Sequence, residues 1–431
     1  MMKRLINILV LICVICLCSF AGKSKSNICQ LWNGKIYQIT LREESYPFDH
    51  ADYGVFIPEG VTTIRGVLIH QHGCGMEQFG LTIPFDVQYQ AFARKWHLAV
   101  VEPVLYGDCH KWRDPESGSG PALLEALNEI GRLSGHGELN TAPWLLWGHS
   151  GGGYWALAMM KNYPERILAV FSYSPAFDPQ WQFPAAAAKI PLLIRHAGSN
   201  DGNQPEIDCW GTALHVFSKL RKMNAPVSIA YTPGQNHNFS YVRYMAIPFY
   251  EAALTQRLPN AASPEMKDLE KGKAWLGDTE TLQICQASAC TGNKDDLCWL
   301  PDSATAVKWK EYVTTGSVSD QTTPPVPYDL QIEWVNDSIE LSWKANADIE
   351  SGIKRFNIYK DGIHVGLFPK SGIYQKFDTN GDNAIPSVLP DMKYRIAVSD
   401  KKKTVVSIRT VNHFDLESKE ARILCYPASK R

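Results

Sequence analysis

Residues 144 to 154 read Trp-Leu-Leu-Trp-Gly-His-Ser-Gly-Gly-Gly-Tyr, and the helical pattern they open continues to Tyr163. Four apolar residues make a short buried strand. Gly148-His149-Ser150-Gly151-Gly152 then fits the pattern G-x-S-x-G. A sharp strand-to-helix turn holds its serine in a strained conformation, and glycines on each side remove side chains that would collide. The hydroxyl is expected above a sheet, at the positive end of a helix. The plainer alternative is a glycine-rich turn with a capping serine. The strand before and the helix after favour Ser150 as a nucleophile.

The same texture extends outward, from about Lys35 to Leu258. Apolar runs at Gly66–His70, Leu98–Val104, Leu145–Trp147, Ile167–Tyr173, Pro191–Ile194 and Val227–Tyr231 read as buried strands. Helical patterns at Pro121–Leu133, Gly151–Tyr163 and Thr212–Met223 lie between them. Strands alternating with helices predict an α/β fold, a mostly parallel sheet covered on both faces.

A neutral serine needs a base. His237 follows the last predicted strand, in Pro233-Gly234-Gln235-Asn236-His237. His196, at a strand end, and His215, inside a helix, are weaker candidates. The imidazole in turn needs a carboxylate to orient it and stabilise its charged form. Gly198-Ser199-Asn200-Asp201 follows the strand before, so Asp201 is the expected acid, with Asp208 and Glu206 as rivals in the same loop. Two backbone N–H groups should receive the oxyanion: that of Gly151, next to the serine, and that of Cys74, in the glycine loop Gln71-His72-Gly73-Cys74-Gly75. Cys74 is equally a candidate bridged cysteine, with Cys109 a reasonable partner because it ends the neighbouring strand region.

On these motifs, Lys35 to Leu258 resembles the α/β-hydrolase family, nearest in flavour to its dienelactone-hydrolase-like and esterase branches. The resemblance implies that Ser150, Asp201 and His237 carry the triad roles. It implies an acyl-enzyme resolved by water, with no cofactor and no metal. Substrate contacts are expected from Trp112 and Arg113, in the loop leaving the strand at Leu98–Val104, and from Trp181, in the short stretch Phe177–Ala188 at the usual lid position. Trp112 has a plainer alternative, which is to pack its own loop. His70 and His72 are too few for a metal site.

Beyond Leu258 the texture changes. Residues Asn260 to Asp320 are irregular, with a predicted helix over Ala304–Val313 and the cluster Cys285, Cys290 and Cys298. The spacing is not that of a zinc knuckle. This arm is expected to pack on the first domain or to bridge to the next. Thr322-Thr323-Pro324-Pro325-Val326-Pro327 reads as a stiff linker. After it Ser338–Trp343, Arg355–Tyr359 and Val405–Val411 alternate with period two, and Asp361-Gly362 marks a hairpin turn. This predicts a small antiparallel sandwich. Thr323-Pro324-Pro325, Leu341-Ser342-Trp343, Asp348–Gly352, Tyr359-Lys360-Asp361-Gly362 and Val411-Asn412 resemble a fibronectin type III domain over Thr322–Tyr426. Such a module implies a spacer or weak adhesion surface, dispensable for turnover of small esters. Asp378–Asn383 spaces oxygens like the start of a calcium loop, but its glycine comes early and a turn is favoured.

At the other end, Lys3 and Arg4 precede an apolar run, Leu5–Phe20, and Ser19-Phe20-Ala21 offers small residues for a signal peptidase. The expected organisation is a signal peptide over residues 1–22, a hydrolase domain over 23–259, an arm over 260–320 and the sandwich over 321–431. Export makes disulfides plausible among the eight remaining cysteines, whose connectivity stays open. Acids and bases nearly cancel, 44 against 43, so no global field recruits nucleic acid or an anionic membrane. The expected partner is a small-molecule or polysaccharide ester, with no stable membrane insertion after signal cleavage. A serine peptidase and a non-catalytic adhesion protein are the alternatives. The sequence leaves the oligomeric state open.

Overall fold

A computed structural model describes residues 26–201, 208–237, 241–259, 265–291, 293–375, 389–398 and 403–426. The expected signal peptide, the rival acid Glu206 and the calcium-like stretch Asp378–Asn383 lie outside the described residues.

Nine strands form one mixed sheet: β1 (Ser26–Leu31), β2 (Gly34–Leu41), β3 (His50–Pro58), β4 (Gly66–Gln71), β5 (Leu98–Tyr106), β6 (Trp144–His149), β7 (Ile167–Tyr173), β8 (Leu192–His196) and β9 (Val227–Tyr231). Their order is β1-β2-β3-β5-β4-β6-β7-β8-β9. The first three strands join β5 antiparallel, and everything from β5 to β9 runs parallel. This is the α/β-hydrolase arrangement, with the crossover between β4 and β5. The parallel strands carry continuous apolar runs because both faces are covered; every residue of β4, β6, β7 and β8 is buried. The antiparallel edge was not read from the sequence. Its outermost strand, β1, is largely exposed and carries no apolar run.

The covering helices are α1 (Val87–Trp96), α2 (Cys109–Trp112), α3 (Ser119–Ser134), α4 (Gly151–Asn162), α5 (Cys209–Arg221) and α6 (Arg243–Arg257). Helix α4 follows β6 directly. A Cβ on Gly148 would lie 2.0 Å from the Gly152 carbonyl oxygen, and one on Gly152 would lie 2.4 Å from the carbonyl oxygens of Gln71 and His72. Both motif glycines are therefore set by close backbone approach, which is what brings strand and helix together at this turn.

The arm forms a three-stranded sheet, β10 (Trp275–Gly277), β11 (Ile284–Gln286) and β12 (Cys298–Leu300), followed by α7 (Ser303–Thr315). It covers the β9 edge. Trp309 is fully buried and its indole N–H donates to the Ile229 carbonyl at 2.9 Å. Cys298 is also buried there, its sulfur 3.3 Å from the Ile229 N. A disulfide joins Cys285 and Cys290.

The C-terminal part is a sandwich of two antiparallel sheets. One comprises β13 (Tyr328–Val335), β14 (Ser338–Lys344) and β17 (Lys393–Ala397); the other comprises β15 (Arg355–Lys360), β16 (Ile363–Phe368), β18 (Thr404–Val411) and β19 (Ala421–Cys425). Their orders are β13-β14-β17 and β16-β15-β18-β19. Ile339, Leu341 and Trp343 alternate inward, as their period requires. Asp361 and Gly362, both at positive φ, turn β15 into β16.

One expectation fails here. The proline-rich linker does not hold the sandwich apart from the hydrolase sheet. Val87, the first residue of α1, is part of the sandwich core, with Trp32 and Ala91 packed beside it. The Val87 N–H donates to the Tyr374 carbonyl at 3.1 Å, the Gln88 side chain to the Ile349 carbonyl at 2.9 Å, and the Trp32 indole to the Ala345 carbonyl at 2.9 Å. Beneath this seam Asp86 caps α1 and pairs with Arg243 at 2.9 Å, both side chains fully buried. Proline stiffens a connection but does not stop two apolar faces from meeting across it.

Candidate active site

Ser150 occupies the turn between β6 and α4 at φ 56° and ψ −118°. That is strained backbone for a residue with a Cβ. The turn is tied down on both sides: the Ser150 N–H donates to the Tyr173 carbonyl at 2.9 Å, and the Ser150 carbonyl accepts from Ala176 N at 3.0 Å. Only 9% of Ser150 is exposed.

His237 and Asp201 are brought together from the loops after β9 and β8. His237 Nδ1 donates to Asp201 Oδ1 at 2.7 Å, which leaves Nε2 as the acceptor nitrogen. The carboxylate side chain is fully buried, while 29% of the imidazole remains exposed. Burial alone would push the Asp201 carboxyl up. Hydrogen bonds from His237 and Ser174, with the charges of His237 and Arg195, outweigh it and hold the group below the usual carboxylate range.

The residues that hold this pair were missed in the sequence. Ser174 Oγ donates to Asp201 Oδ2 at 2.6 Å, and the Ala197 N–H to the same oxygen at 2.8 Å. Arg195, fully buried, donates to Ser174 Oγ at 3.0 Å, to the Asn236 carbonyl at 3.0 Å and to Thr232 Oγ1 at 2.6 Å. His149, beside Ser150, donates from Nε2 to the His237 carbonyl at 2.9 Å, and the Tyr173 hydroxyl donates to that carbonyl at 3.1 Å. Burial and the His237 charge hold His149 well below the usual histidine range, so it serves as a neutral donor. The one available signal was position: each of these residues sits at or just past the carboxyl end of a parallel strand.

The rivals have other employment. Asp208 caps α5, accepting from Gly211 N at 2.7 Å. His196 accepts from Gly198 N at 3.0 Å, and burial pushes it down to about 4. His215 pairs with Asp178 at 2.7 Å on the surface.

Cys209 Sγ lies 3.5 Å from His237 Nδ1. Asp201, Cys209 and His237 thus form a group with metal-ligand chemistry among the described residues. Burial pushes the thiol up, so it is protonated there, and the imidazole nitrogen is already committed to Asp201.

At the predicted oxyanion hole, Cys74 and Cys109 form a disulfide against the first turn of α4. A Cβ on Gly151 would lie 3.6 Å from the Cys74 nitrogen, so the Cys74 loop reaches the first residue of α4.

The three predicted substrate residues divide. The Arg113 guanidinium lies over Phe177 at 3.6 Å and Tyr154 at 5.0 Å, and Trp181 meets Tyr154 edge-on at 5.0 Å. Both are part-exposed in one aromatic cluster. Trp112 does not join them. It is fully buried, edge-on to His72 at 5.7 Å, so its ring offers no face to a substrate. A four-residue helix at Cys109–Trp112 turns that side chain inward, a direction loop composition does not reveal.

No protein-family model and no curated protein matches this chain. Among solved structures it is similar to an S-formylglutathione hydrolase from Agrobacterium tumefaciens, with 15% identity over 49% of this chain and 91% of that one, at a TM-score of 0.36. An S-formylglutathione hydrolase from Staphylococcus aureus has 15% identity over 53% of this chain and 98% of that one, at a TM-score of 0.36. A ferulic acid esterase has 15% identity over 52% and 97%, at a TM-score of 0.37.

Proposed function

We propose that this chain is an exported serine hydrolase that cleaves carboxylic esters through an acyl-enzyme. The observation that carries this reading is the strained Ser150 at its strand-to-helix turn, one residue from a histidine that holds the His237 backbone, with His237 bonded to Asp201 at 2.7 Å.

In the proposed reaction His237 Nε2 takes the Ser150 proton as Oγ attacks the acyl carbon. The carbonyl oxygen becomes an oxyanion facing the Gly151 and Cys74 N–H groups. Collapse breaks the bond to the alcohol oxygen, which leaves with the proton from His237. Water then attacks the acyl carbon, gives its proton to His237, and the acid departs as Ser150 recovers the proton. Asp201 stays ionised throughout and stabilises the imidazolium.

The part-exposed cluster of Arg113, Tyr154, Phe177 and Trp181 offers aromatic and cationic groups that suit an ester with an aromatic or sugar component. The two disulfides and the N-terminal apolar run support export, and no helix among the described residues is long and apolar enough to cross a membrane. The three-plus-four strand order supports a fibronectin type III kind of sandwich.

Turnover of short p-nitrophenyl esters, set against peptide anilides, tests the proposal. Ester hydrolysis that disappears in Ser150→Ala is the expected result. Faster cleavage of anilides would make the chain a peptidase, and no turnover of either would make it a non-catalytic protein.

A further inference from the structure

Two amides from unconnected segments must meet a single oxyanion, and each must sit within a few tenths of an ångström of its place to be useful. The Gly151 N–H is fixed by α4. The Cys74 N–H belongs to the loop after β4, where His72 Nδ1 makes a local bond to the Gly73 carbonyl at 2.7 Å. The strand end and start of this loop pack on the turn into α4, where a Cβ on Gly152 would meet the Gln71 and His72 carbonyls at 2.4 Å, and the covalent tie at Cys74 itself is the disulfide to Cys109.

Cys109 in turn is not free to drift. It opens α2, whose last residue, Trp112, is fully buried. The Trp112 carbonyl accepts from Ser119 Oγ at 2.7 Å, and Ser119 Oγ accepts from the Trp155 indole at 3.1 Å. Trp155 lies on α4, one turn beyond Gly151. The connections therefore close a ring: α4 to Ser119, to α2, across the disulfide to the Cys74 loop, and back to α4. At the closing point the sulfurs lie so near that a Cβ on Gly151 would be 2.2 Å from Cys74 Sγ and 2.7 Å from Cys109 Sγ.

We propose that the Cys74–Cys109 disulfide is a positioning element of the oxyanion hole, holding the Cys74 N–H in register with that of Gly151, so that breaking it lowers kcat while leaving substrate binding intact. This rests on the ester-hydrolase reading above. It makes Cys109 a positioning residue and gives buried Trp112 a role as part of the brace.

The test compares wild type with Cys109→Ser and with the double variant Cys74→Ser/Cys109→Ser, which keeps the Cys74 amide. Folding is checked by near-ultraviolet circular dichroism. Loss of a whole oxyanion donor costs about 10²–10³ in kcat, so a loosened one is expected to cost about 10–100-fold. KM should stay within about twofold, because the ground-state contacts are unchanged. The Ki of an alkylboronic acid, whose tetrahedral adduct places an oxygen in the hole, should rise with the loss of kcat. If the variants do not fold, the folded wild type is reduced with a water-soluble phosphine. The phosphine supplies two electrons and becomes its oxide with the oxygen of water, and each sulfur takes a proton. A Cys285→Ser/Cys290→Ser background removes the other disulfide from that experiment. An unchanged kcat in folded variants or reduced enzyme overturns the proposal, as does a fall in kcat with no change in boronate Ki. A wild type that turns over no ester instead defeats the ester-hydrolase reading.

Discussion

Asp201 and Asp348 are both buried, one in each half of the molecule, and their surroundings push them in opposite directions. Asp201 sits where donors converge: Ser174, the Ala197 N–H, His237 and, at 3.8 Å, Arg195. It is held low. Asp348 sits in the sandwich. Burial pushes its carboxyl up, and the hydrogen bond with the Glu350 carboxyl and the neighbouring Asp320 charge add to this. Asn412 donates to both, at 3.1 Å to Asp348 and 2.9 Å to Asp320, while Ser351 donates to Asp320 at 2.6 Å. The first arrangement keeps a charge ready beside a proton carrier. The second ties Asp320, just before the linker, to the sandwich, and another side chain bonded to Asp348 is itself a carboxyl, that of Glu350. A buried carboxylate is evidence of chemistry only through the groups that face it.

The largest expected effect follows directly. Asp201→Asn should lower kcat by about 10⁴ with folding retained, because the imidazole loses the partner that sets its tautomer. Asp348→Asn should leave kcat unchanged. Steady-state ester kinetics on both variants decide the matter, and comparable losses in the two would erase the distinction between the halves.

A smaller effect probes the seam. A chain ending at Asp320 would expose Val87 and uncover the Gln88 side chain above the buried Asp86–Arg243 pair. A melting temperature lower by about 5–10 °C is expected, corresponding to a few kcal/mol in a domain of this size. The expectation of a module dispensable for turnover of small esters concerns activity and is tested separately, by ester kinetics on the same shortened chain. An unchanged melting curve would show that the seam adds no stability.

The smallest effect is in the pH dependence of stability. Asp348 has its carboxyl pKa raised in the fold, so the folded state binds the proton more tightly than the unfolded chain. Stability should therefore fall as pH rises from the ordinary aspartate value of 3.8 through the raised folded value. Asp201, held low, contributes in the opposite sense: its stabilisation is present above the unfolded value and lost as pH falls through the folded one. Melting temperatures measured from pH 5 to 8 should decline less for Asp348→Asn than for wild type, by about 2 °C or more. Parallel curves would show that Asp348 titrates alike in both states.

The same division explains what the sequence could and could not disclose. The parallel strands and their helices were legible because fully covered strands must be continuously apolar. β7 and β9 begin and end where the apolar runs do. Ser150, Asp201 and His237 could be named because strand order assigns each a loop. Side-chain direction was not legible, so Trp112 was expected at the substrate and is found in the core. Contacts between distant segments were not legible either. Nothing local at Val87 announces that it completes a sandwich more than 200 residues away. Arg195 belongs to no motif, yet it bonds three separate partners behind the site.

The central claim is that Ser150 is an activated nucleophile. It is tested most directly by treating the intact protein with a fluorophosphonate and locating the adduct by mass spectrometry of its peptides. One phosphonyl group on Ser150, absent in Ser150→Ala and strongly slowed in His237→Ala, is the result predicted. Labelling that persists in Ser150→Ala, or a wild type that hydrolyses esters yet carries no adduct on Ser150, would contradict the account.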